Sequence, residues 1–494
     1  MEMALSKKMM LVVVAVIIVI IIAAVAAVFL YKPPVERKVT WATIAGFYTD
    51  WATKISENFT KKTGIKVDVI GIDYSVMYEK QMIELAGKTG AYDIVTIETM
   101  CLAEWANAGW LSDLDSYIAK TPEADINFTD ILPHYRWLLR WGGKTYGLPY
   151  YTYDQGVIYR ADLFENTTIK QWYHDWATTA GLRDSTLEDP VNWPIVLTEL
   201  RKPNHQMNWS EFENIARFFY EEKRDPVSYG VGLMAGPVES NDEWMAIMWG
   251  LGGDHFDSNY NIICNASQGV HAMEIYVRLL KYAPPGALAS SYDEVVAQMK
   301  AGKIPMTGPF YLDQWPNAVK TEDTIPGAKM ECATPVGGRG YIGCFALGID
   351  AASKRKDDAY EFLKWLTGPE GQYSFAKGGG STCRKSVLLN PEFDPALNPA
   401  TRRYTAHYKA IWDASQLWEQ TAPAWQKPPR VFKIPVAGKM YLESKIRIGS
   451  IAAGLITPKG GMDELALAYA TILGWGYPVP SMHPPAGWTR PPED

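Results

Sequence analysis

The sequence has few of the residues that build common metal and redox sites. Its 494 residues include five cysteines and seven histidines. No Cys-x-x-Cys pair occurs, which excludes a zinc ribbon and a thioredoxin-like redox motif. The HExxH, GxSxG and phosphate-binding-loop motifs are absent too, and no histidines have the spacing of a ligand cluster. The sequence therefore predicts no metal site, no cofactor and no catalytic residue.

An excess of basic residues is also missing. The chain has 48 Lys and Arg against 55 Asp and Glu, a formal net charge of −7, which excludes a nucleic-acid binder of the basic kind. A hydrophobic content of 47% excludes a disordered chain. What is abundant is aromatic: 19 Trp and 28 Tyr occur beside 15 Phe. Because Trp and Tyr rings carry a polar atom, they suit surfaces that offer apolar contact and are also in contact with water.

The N-terminal part contains one long apolar run, Met9–Leu30, which follows Lys7 and Lys8. A helix of about 22 residues spans the hydrocarbon core of a bilayer, roughly 30 Å. We predict that residues 1–34 are a membrane anchor and short linker, with the two lysines on the cytoplasmic side. The rest of the chain would then lie at the outer face of the cytoplasmic membrane. A removed signal sequence is the alternative.

Beyond the anchor, strand-like and helical segments alternate. Strand patterns at 38–44, 65–72 and 92–98 are each followed by a helical pattern, which predicts a parallel sheet covered by helices on both faces. Ligands bind such sheets outside the carboxyl ends of the strands. The candidate ligand-binding residues at these ends are Phe47, Tyr48 and Glu98.

A second α/β lobe is predicted further along, from strands at 229–234 and 304–307 among helical patterns. Residues 182–206 are rich in Pro, Asp and Asn and look like an insertion. Cys332 and Cys344 flank a glycine-rich stretch. They either pair or remain isolated buried thiols.

Several motifs, taken in order, carry a family resemblance. They include "AYDIVTIE" (91–98), "GGKTYGLPYY" (142–151), "AGKIPMTGPF" (301–310) and "ALGIDAASKRKDDAYEFLKWL" (346–366). In this order they resemble the family 1 extracellular solute-binding proteins of ABC importers, over nearly the whole chain after the anchor. The resemblance implies a monomeric, non-enzymatic protein that captures a sugar by hinge closure and delivers it to the permease subunits.

The same resemblance implies an α/β fold of the periplasmic-binding-protein type, class II-like, in which two lobes are joined by three hinge crossings. Placed by motif, lobe one comprises residues 35–149 and 308–338. Lobe two comprises residues 150–307 and 339–477, and residues 478–494 form a Pro-rich tail.

Further ligand-binding candidates follow from the positions of the crossings and loops in such proteins. Tyr151, Tyr153 and Asp154 lie in the first crossing, and Phe310 follows the second. Trp244 lies near the start of a predicted helix, where it would stack on a sugar. The remaining candidates lie in two later loops: Gly379, Ser381, Arg384 and Trp425.

Two alternatives stay open at the level of sequence. One is an exported carbohydrate-active enzyme with a carboxylate pair drawn from Glu98, Asp154 and Glu243, although none carries a recognisable catalytic motif. The other is the same fold binding a peptide, a polyamine or an anion. Few arginines lie near the expected cleft, which argues against an anion.

Overall fold

A computed structural model describes residues 11–12, 15–20, 36–182, 207–222, 227–475 and 481–491. The predicted insertion, apart from Leu182, and most of the apolar run Met9–Leu30 lie outside these residues. The described residues of the run are helical, and their side chains are exposed. Within the described ranges, no helix combines the length and the hydropathy needed to cross a membrane.

The strands form three sheets. In chain order they are β1 (Lys38–Ile44), β2 (Lys66–Ile72), β3 (Ile94–Glu98), β4 (Arg140–Trp141), β5 (Lys144–Thr145), β6 (Leu148–Thr152), β7 (Gln155–Arg160), β8 (Phe310–Tyr311), β9 (Met330–Ala333) and β10 (Cys344–Ile349). The largest sheet has the order β2-β1-β3-β10-β6, a second has the order β8-β7-β9, and β4 pairs with β5.

The α-helices cover these sheets. They are Phe47–Thr63, Tyr74–Gly87, Leu102–Asn107, Asp115–Ile118, Glu123–Ile126, Pro133–Leu138, Ala161–Glu165, Thr167–Thr179, Trp209–Glu222, Ser240–Gly250, Ser267–Leu280, Tyr292–Lys300, Trp315–Ala318, Thr321–Thr324, Lys356–Thr367, Pro369–Lys377, Lys385–Leu388, Arg402–Thr405, His407–Thr421, Ala437–Ala452 and Pro458–Ile472.

The first three strands confirm the predicted parallel arrangement. β1 pairs in parallel with both β2 and β3. Gly64 ends the helix after β1 in the left-handed conformation, with its N–H bonded to the carbonyl of Thr60, a common way of closing a helix. Asp73 caps the helix after β2 by accepting from the Ser75 N–H at 2.9 Å. The carboxyl ends of β1, β2 and β3 therefore meet at one edge, as the sequence indicates.

The second sheet belongs to the other lobe. β7 pairs in antiparallel fashion with β8 and β9. The predicted strands at 229–234 and 304–307 are wrong as strands, because these segments form only isolated bridges, including Gly232 with Thr307. Helix Ser240–Gly250 packs on helices Ser267–Leu280 and Ala437–Ala452. This lobe is thus mainly helical, with a small sheet.

Sheet pairing corrects two segments of the predicted division. We expected residues 308–338 in lobe one and the strand at 345–349 in lobe two. Instead β8 and β9 pair with β7, and β10 pairs with β3 and β6. All six residues of β10 are buried, because it lies between two strands. Motif order does not tell which sheet a short strand joins. The other domain boundaries stay a prediction.

The cysteines settle the question of pairing. All five lie in the described part of the chain, and each is a buried thiol outside any disulfide. The structure therefore favours two buried thiols over a disulfide between Cys332 and Cys344.

Candidate functional site

The site begins at the end of β3. Glu98 is the last residue of that strand and is half-buried. Its Oε1 accepts a hydrogen bond from the Tyr74 hydroxyl at 2.6 Å. Burial raises the pKa of Glu98 above its usual range, and the bond from Tyr74 and the charge of Lys445 act against that rise. Lobe one thus presents a carboxylate at the edge where its parallel strands end.

The opposing carboxylate comes from the start of helix Ser240–Gly250. Asp242 lies in the first turn of this helix and is buried. Its carboxylate accepts from the Tyr311 hydroxyl at 2.6 Å and from the Tyr441 hydroxyl. Burial raises the pKa of Asp242 to about 6. One carboxylate thus holds three separate segments of lobe two.

The two carboxylates line the same crevice. Helix Ala437–Ala452, which carries Tyr441, packs against the turn Thr99–Cys101 directly after Glu98. A Cβ atom at Gly438 would lie 3.2 Å from Glu104 Oε2, a tight contact that glycine avoids. Lys445, one turn beyond Tyr441, lowers the pKa of both Glu98 and Asp242, although burial outweighs it. The lobes meet here around a group of acids and phenols.

Three buried hydroxyls in this region lie close to one another. Within the described residues, Thr99 Oγ1 and the hydroxyls of Tyr153 and Tyr341 form no hydrogen bond of regular geometry, but weaker contacts link Tyr153 to Thr99 and Tyr341 to Tyr153 and lower the pKa of both phenols against the larger effect of burial. The rings of Tyr153 and Tyr341 stack at 6.1 Å, and Tyr153 meets Tyr311 edge to face at 6.0 Å. An unpaired buried polar group costs about 1–3 kcal/mol. A ligand with hydroxyl groups would remove that cost.

The crevice has a second acidic end, which contains Asp313 and Glu239 and lies beside Tyr151 of the first crossing. The Tyr151 hydroxyl donates to Asp313 Oδ2 at 2.8 Å, and the ring of Tyr48 lies edge to face on Tyr151 at 5.4 Å. Burial raises the pKa of Asp313 to about 7 and that of Glu239 to about 7. The crevice thus combines four carboxylates with a set of tyrosine rings.

Comparison with known proteins identifies the chain. Residues 41–373 match the family model for the bacterial extracellular solute-binding protein. The chain belongs to this family. Because the family is one of binding proteins, the enzyme alternative is set aside, and the chain is a solute-binding protein.

Three similar proteins illustrate the family. A probable amino-acid ABC transporter periplasmic-binding protein of Sinorhizobium fredii is 23% identical over 74% of this chain and 78% of its own. A mannitol-binding protein of Pseudomonas aeruginosa is 26% identical over 60% and 61%. The crystal structure of an ABC transporter solute-binding protein from Agrobacterium radiobacter K84 with ribitol has a TM-score of 0.66 at 20% identity, covering 88% of this chain and 98% of that one. This likeness shows the two-lobed α/β fold.

Four of the predicted site residues of this solute-binding protein lie together at the crevice. They are Tyr48, Glu98, Tyr151 and Tyr153, and they surround Phe345 of β10, which pairs with Glu98 and Tyr151 in the sheet. Tyr48 and Tyr153 both also pack on Phe345 of β10, with ring centroids 6.0 and 4.6 Å apart. Strand ends and the first crossing were therefore useful guides. The binding role of each of these residues stays a prediction.

The pairing of β8 with β7 decides which of two adjacent aromatic residues, Phe310 or Tyr311, faces the crevice. Phe310 is buried, opposite Gly156 of β7. Tyr311 is half-buried, and its hydroxyl reaches Asp242. Successive side chains of a strand point to opposite faces. The aromatic residue that faces the crevice is therefore Tyr311, and the expectation for Phe310 is corrected.

Trp244 is a core residue and not a stacking surface. Its side chain is 0% exposed, its indole N–H donates to the carbonyl of Gly269 at 3.2 Å, and its ring packs edge-on against His255. Two helical positions separate it from Asp242, a rotation of about 200°. Since Asp242 faces the crevice, Trp244 faces the interior of its lobe.

Three other predicted residues hold the scaffold together. Asp154 is buried and accepts from the Tyr135 hydroxyl at 2.7 Å and from the Gly343 N–H at 3.1 Å. Ser381 Oγ lies 2.6 Å from His407 Nε2. Arg384 is fully buried and donates to backbone carbonyls. The polar groups of these residues are bonded within the protein, which corrects their assignment as ligand-binding residues.

The remaining predicted residues are Phe47, Gly379 and Trp425. Phe47 begins its helix, Gly379 adopts a left-handed φ of 88°, and Trp425 is half-buried in a 3₁₀ turn. Their binding role stays a prediction.

Sequence reasoning missed the acids and phenols contributed by lobe two and by the segment before β10. A usable signal was present in "ESNDEW", where one acid precedes a mostly apolar helix and two more lie in its first turn. The missed residues are Glu239, Asp242, Tyr292, Tyr311, Asp313, Tyr341 and Tyr441.

Proposed function

We propose that this solute-binding protein captures a sugar or a related polyol between its lobes and delivers it to the permease of an ABC importer. The observation that carries the proposal is the group of weakly bonded buried hydroxyls, Thr99, Tyr153 and Tyr341, beside the carboxylate of Glu98. Mannitol and ribitol, named for two of the similar proteins, are compounds of this class.

The chemistry of the crevice suits such a ligand. A carboxylate is a stronger acceptor for a ligand hydroxyl than a neutral amide. Tyrosine rings offer flat apolar surface for the C–H groups of the solute, and their hydroxyls offer further polar contacts. Glu98 comes from one lobe and Asp242 from the other, so a ligand that contacts both favours the closed state by its differential affinity.

An anionic solute fits the crevice poorly. Glu98, Glu239 and Asp242 are all influenced by one cation, Lys445, which lowers the pKa of each of them. An anion would add negative charge to carboxylates that burial already disfavours. A polyhydroxy solute without negative charge is therefore the better proposal.

Binding should be direct and non-destructive. We expect calorimetric titration with a panel of hexitols, pentitols, mono- and oligosaccharides to find a saturating ligand. Small-angle scattering should then show a smaller radius of gyration, because the lobes close by a hinge. Chromatography after overnight incubation should recover the ligand intact. A panel without a binder, or an unchanged radius at proven saturation, would count against the proposal.

The apolar run Met9–Leu30 is proposed as the membrane anchor, because its length matches the hydrocarbon core. The full-length protein should therefore fractionate with membranes and be released by detergent but not by carbonate. A chain beginning at Val35 should be soluble and bind the same ligand with the same affinity. If the protein made from the full-length gene is instead recovered in the soluble fraction with a new N-terminus near Tyr31, the apolar run is a removed signal sequence.

A further inference from the structure

The acidic end of the crevice contains an unpaired carboxylate oxygen. Asp313 is 8% exposed. Its Oδ2 accepts from Tyr151 at 2.8 Å and from Gln314 Nε2 at 3.2 Å. Its Oδ1 is buried and has no hydrogen-bond partner in the described part of the chain. A buried carboxylate normally has partners for both oxygens, so this atom marks a place where a donor is missing.

A second carboxylate in the same region also lacks an ion pair. Glu239, which directly precedes helix Ser240–Gly250, is 6% exposed. Neither Glu239 nor Asp313 forms an ion pair with any lysine, arginine or histidine that the structure describes. Burial raises the pKa of each to about 7. A nearby positive charge would lower both values.

Tyrosine rings complete this end of the crevice. Burial raises the pKa of Tyr292 to about 12, and the charges of Asp293, Asp313 and Glu239 add to the rise. Tyr292 therefore lies in the field of both carboxylates. Tyr48 and Tyr151 lie against each other beside Asp313. Aromatic faces next to carboxylates are a favourable setting for an organic cation.

The crevice offers more hydrogen-bond acceptors than donors, which also favours an organic cation. The phenols of Tyr151, Tyr311 and Tyr441 already donate to carboxylates, so they offer a ligand only lone pairs. A hydroxyl group brings one donor, whereas an ammonium group brings three donors and no acceptor. A metal ion is disfavoured, because no group of three or more potential ligand residues within the described ranges is arranged to hold one.

We propose that the preferred ligand is a polyhydroxy compound with a protonated amino group, an amino sugar or amino polyol, whose nitrogen binds between Asp313 and Glu239. This inference rests on the proposed function, since the hydroxyl groups of the ligand would occupy the region of Glu98, Thr99 and Tyr153. It adds a cation subsite at the opposite end of the same crevice.

Matched ligands test the charge without altering the protein. The wild type would be titrated with glucosamine, galactosamine and glucamine, each compared with its N-acetyl form and its neutral parent. We expect at least one amino compound to bind about 10-fold or more tightly than both of its partners. Equal or tighter binding of the neutral parents would overturn the cation subsite and leave the proposed function intact. Putrescine binding as tightly as every amino sugar would overturn the polyhydroxy part.

A substitution tests the position of the subsite. Asp313→Asn keeps the shape of the side chain and one acceptor while removing the charge. We expect it to weaken binding of the amino compound by about 10- to 100-fold and to change binding of the neutral parent less than about threefold. Asp323→Asn, at an exposed acid paired with Arg403, should change neither. An equal loss for both ligands would show a merely structural role and overturn the proposal.

Discussion

Replacement of Arg384 by alanine is expected to lower the free energy of unfolding by about 3–5 kcal/mol. The guanidinium is fully buried and donates to the carbonyls of Thr367 (2.5 Å), Asn127 (2.9 Å) and Ile126, and to Asp130. Alanine would leave these acceptors without partners, and the carboxylate of Asp130 without a cation. Equilibrium denaturation in urea, followed by tryptophan fluorescence, measures the change.

The control is a second arginine, whose side chain is exposed to solvent. Arg403 and Asp323 form an exposed ion pair, and exposed pairs contribute about 0–1 kcal/mol. Arg403→Ala should therefore change the unfolding free energy by less than about 1 kcal/mol. If Arg384→Ala were as mild as Arg403→Ala while weakening ligand binding, Arg384 would be a ligand-binding residue and its scaffold role would be wrong.

Replacement of Asp242 by alanine should weaken ligand binding by about 2–4 kcal/mol, or roughly 30- to 1,000-fold. The change removes a carboxylate that faces the crevice, and it also frees the hydroxyls of Tyr311 and Tyr441, which it holds in place. Both the direct contact and the positioning of two rings are then lost. Calorimetric titration with the solute that saturates the wild type measures the effect.

Two further variants distinguish the effect of removing the charge of Asp242 from a general loss of structure. Asp242→Asn keeps an acceptor for one phenol and should lose less affinity than Asp242→Ala. Asp413→Ala removes an acid whose charge is paired with Lys409 one turn earlier on helix His407–Thr421, and it should bind as the wild type does. Normal affinity in Asp242→Ala with its fold intact by circular dichroism would place the binding site elsewhere.

The sequence alone determined the class of fold and the family. Alternating strand and helix patterns from Lys38 to Glu98 predict the parallel strands β1, β2 and β3, because a helix between two neighbouring strands returns the chain to the same end of the sheet. The carboxyl ends of those strands then pointed to Tyr48 and Glu98. These inferences succeed because strand periodicity and chain direction are local properties, which neighbouring residues fix.

Only the tertiary structure decided which residues of the second lobe reach the crevice. Phe310 and Tyr311 are adjacent aromatics, and sequence does not tell which face of the short strand β8 is buried until its pairing with β7 is known. Trp244 and Asp242 lie on one helix, and the packing of helix Ala437–Ala452, almost 200 residues later in the chain, selects the face that meets lobe one. Arg384 likewise looks like a ligand-binding cation until the carbonyls that it satisfies are brought to it. Such choices depend on contacts between distant segments, and those contacts form only when burial and hydrogen bonding are satisfied over the whole fold at once.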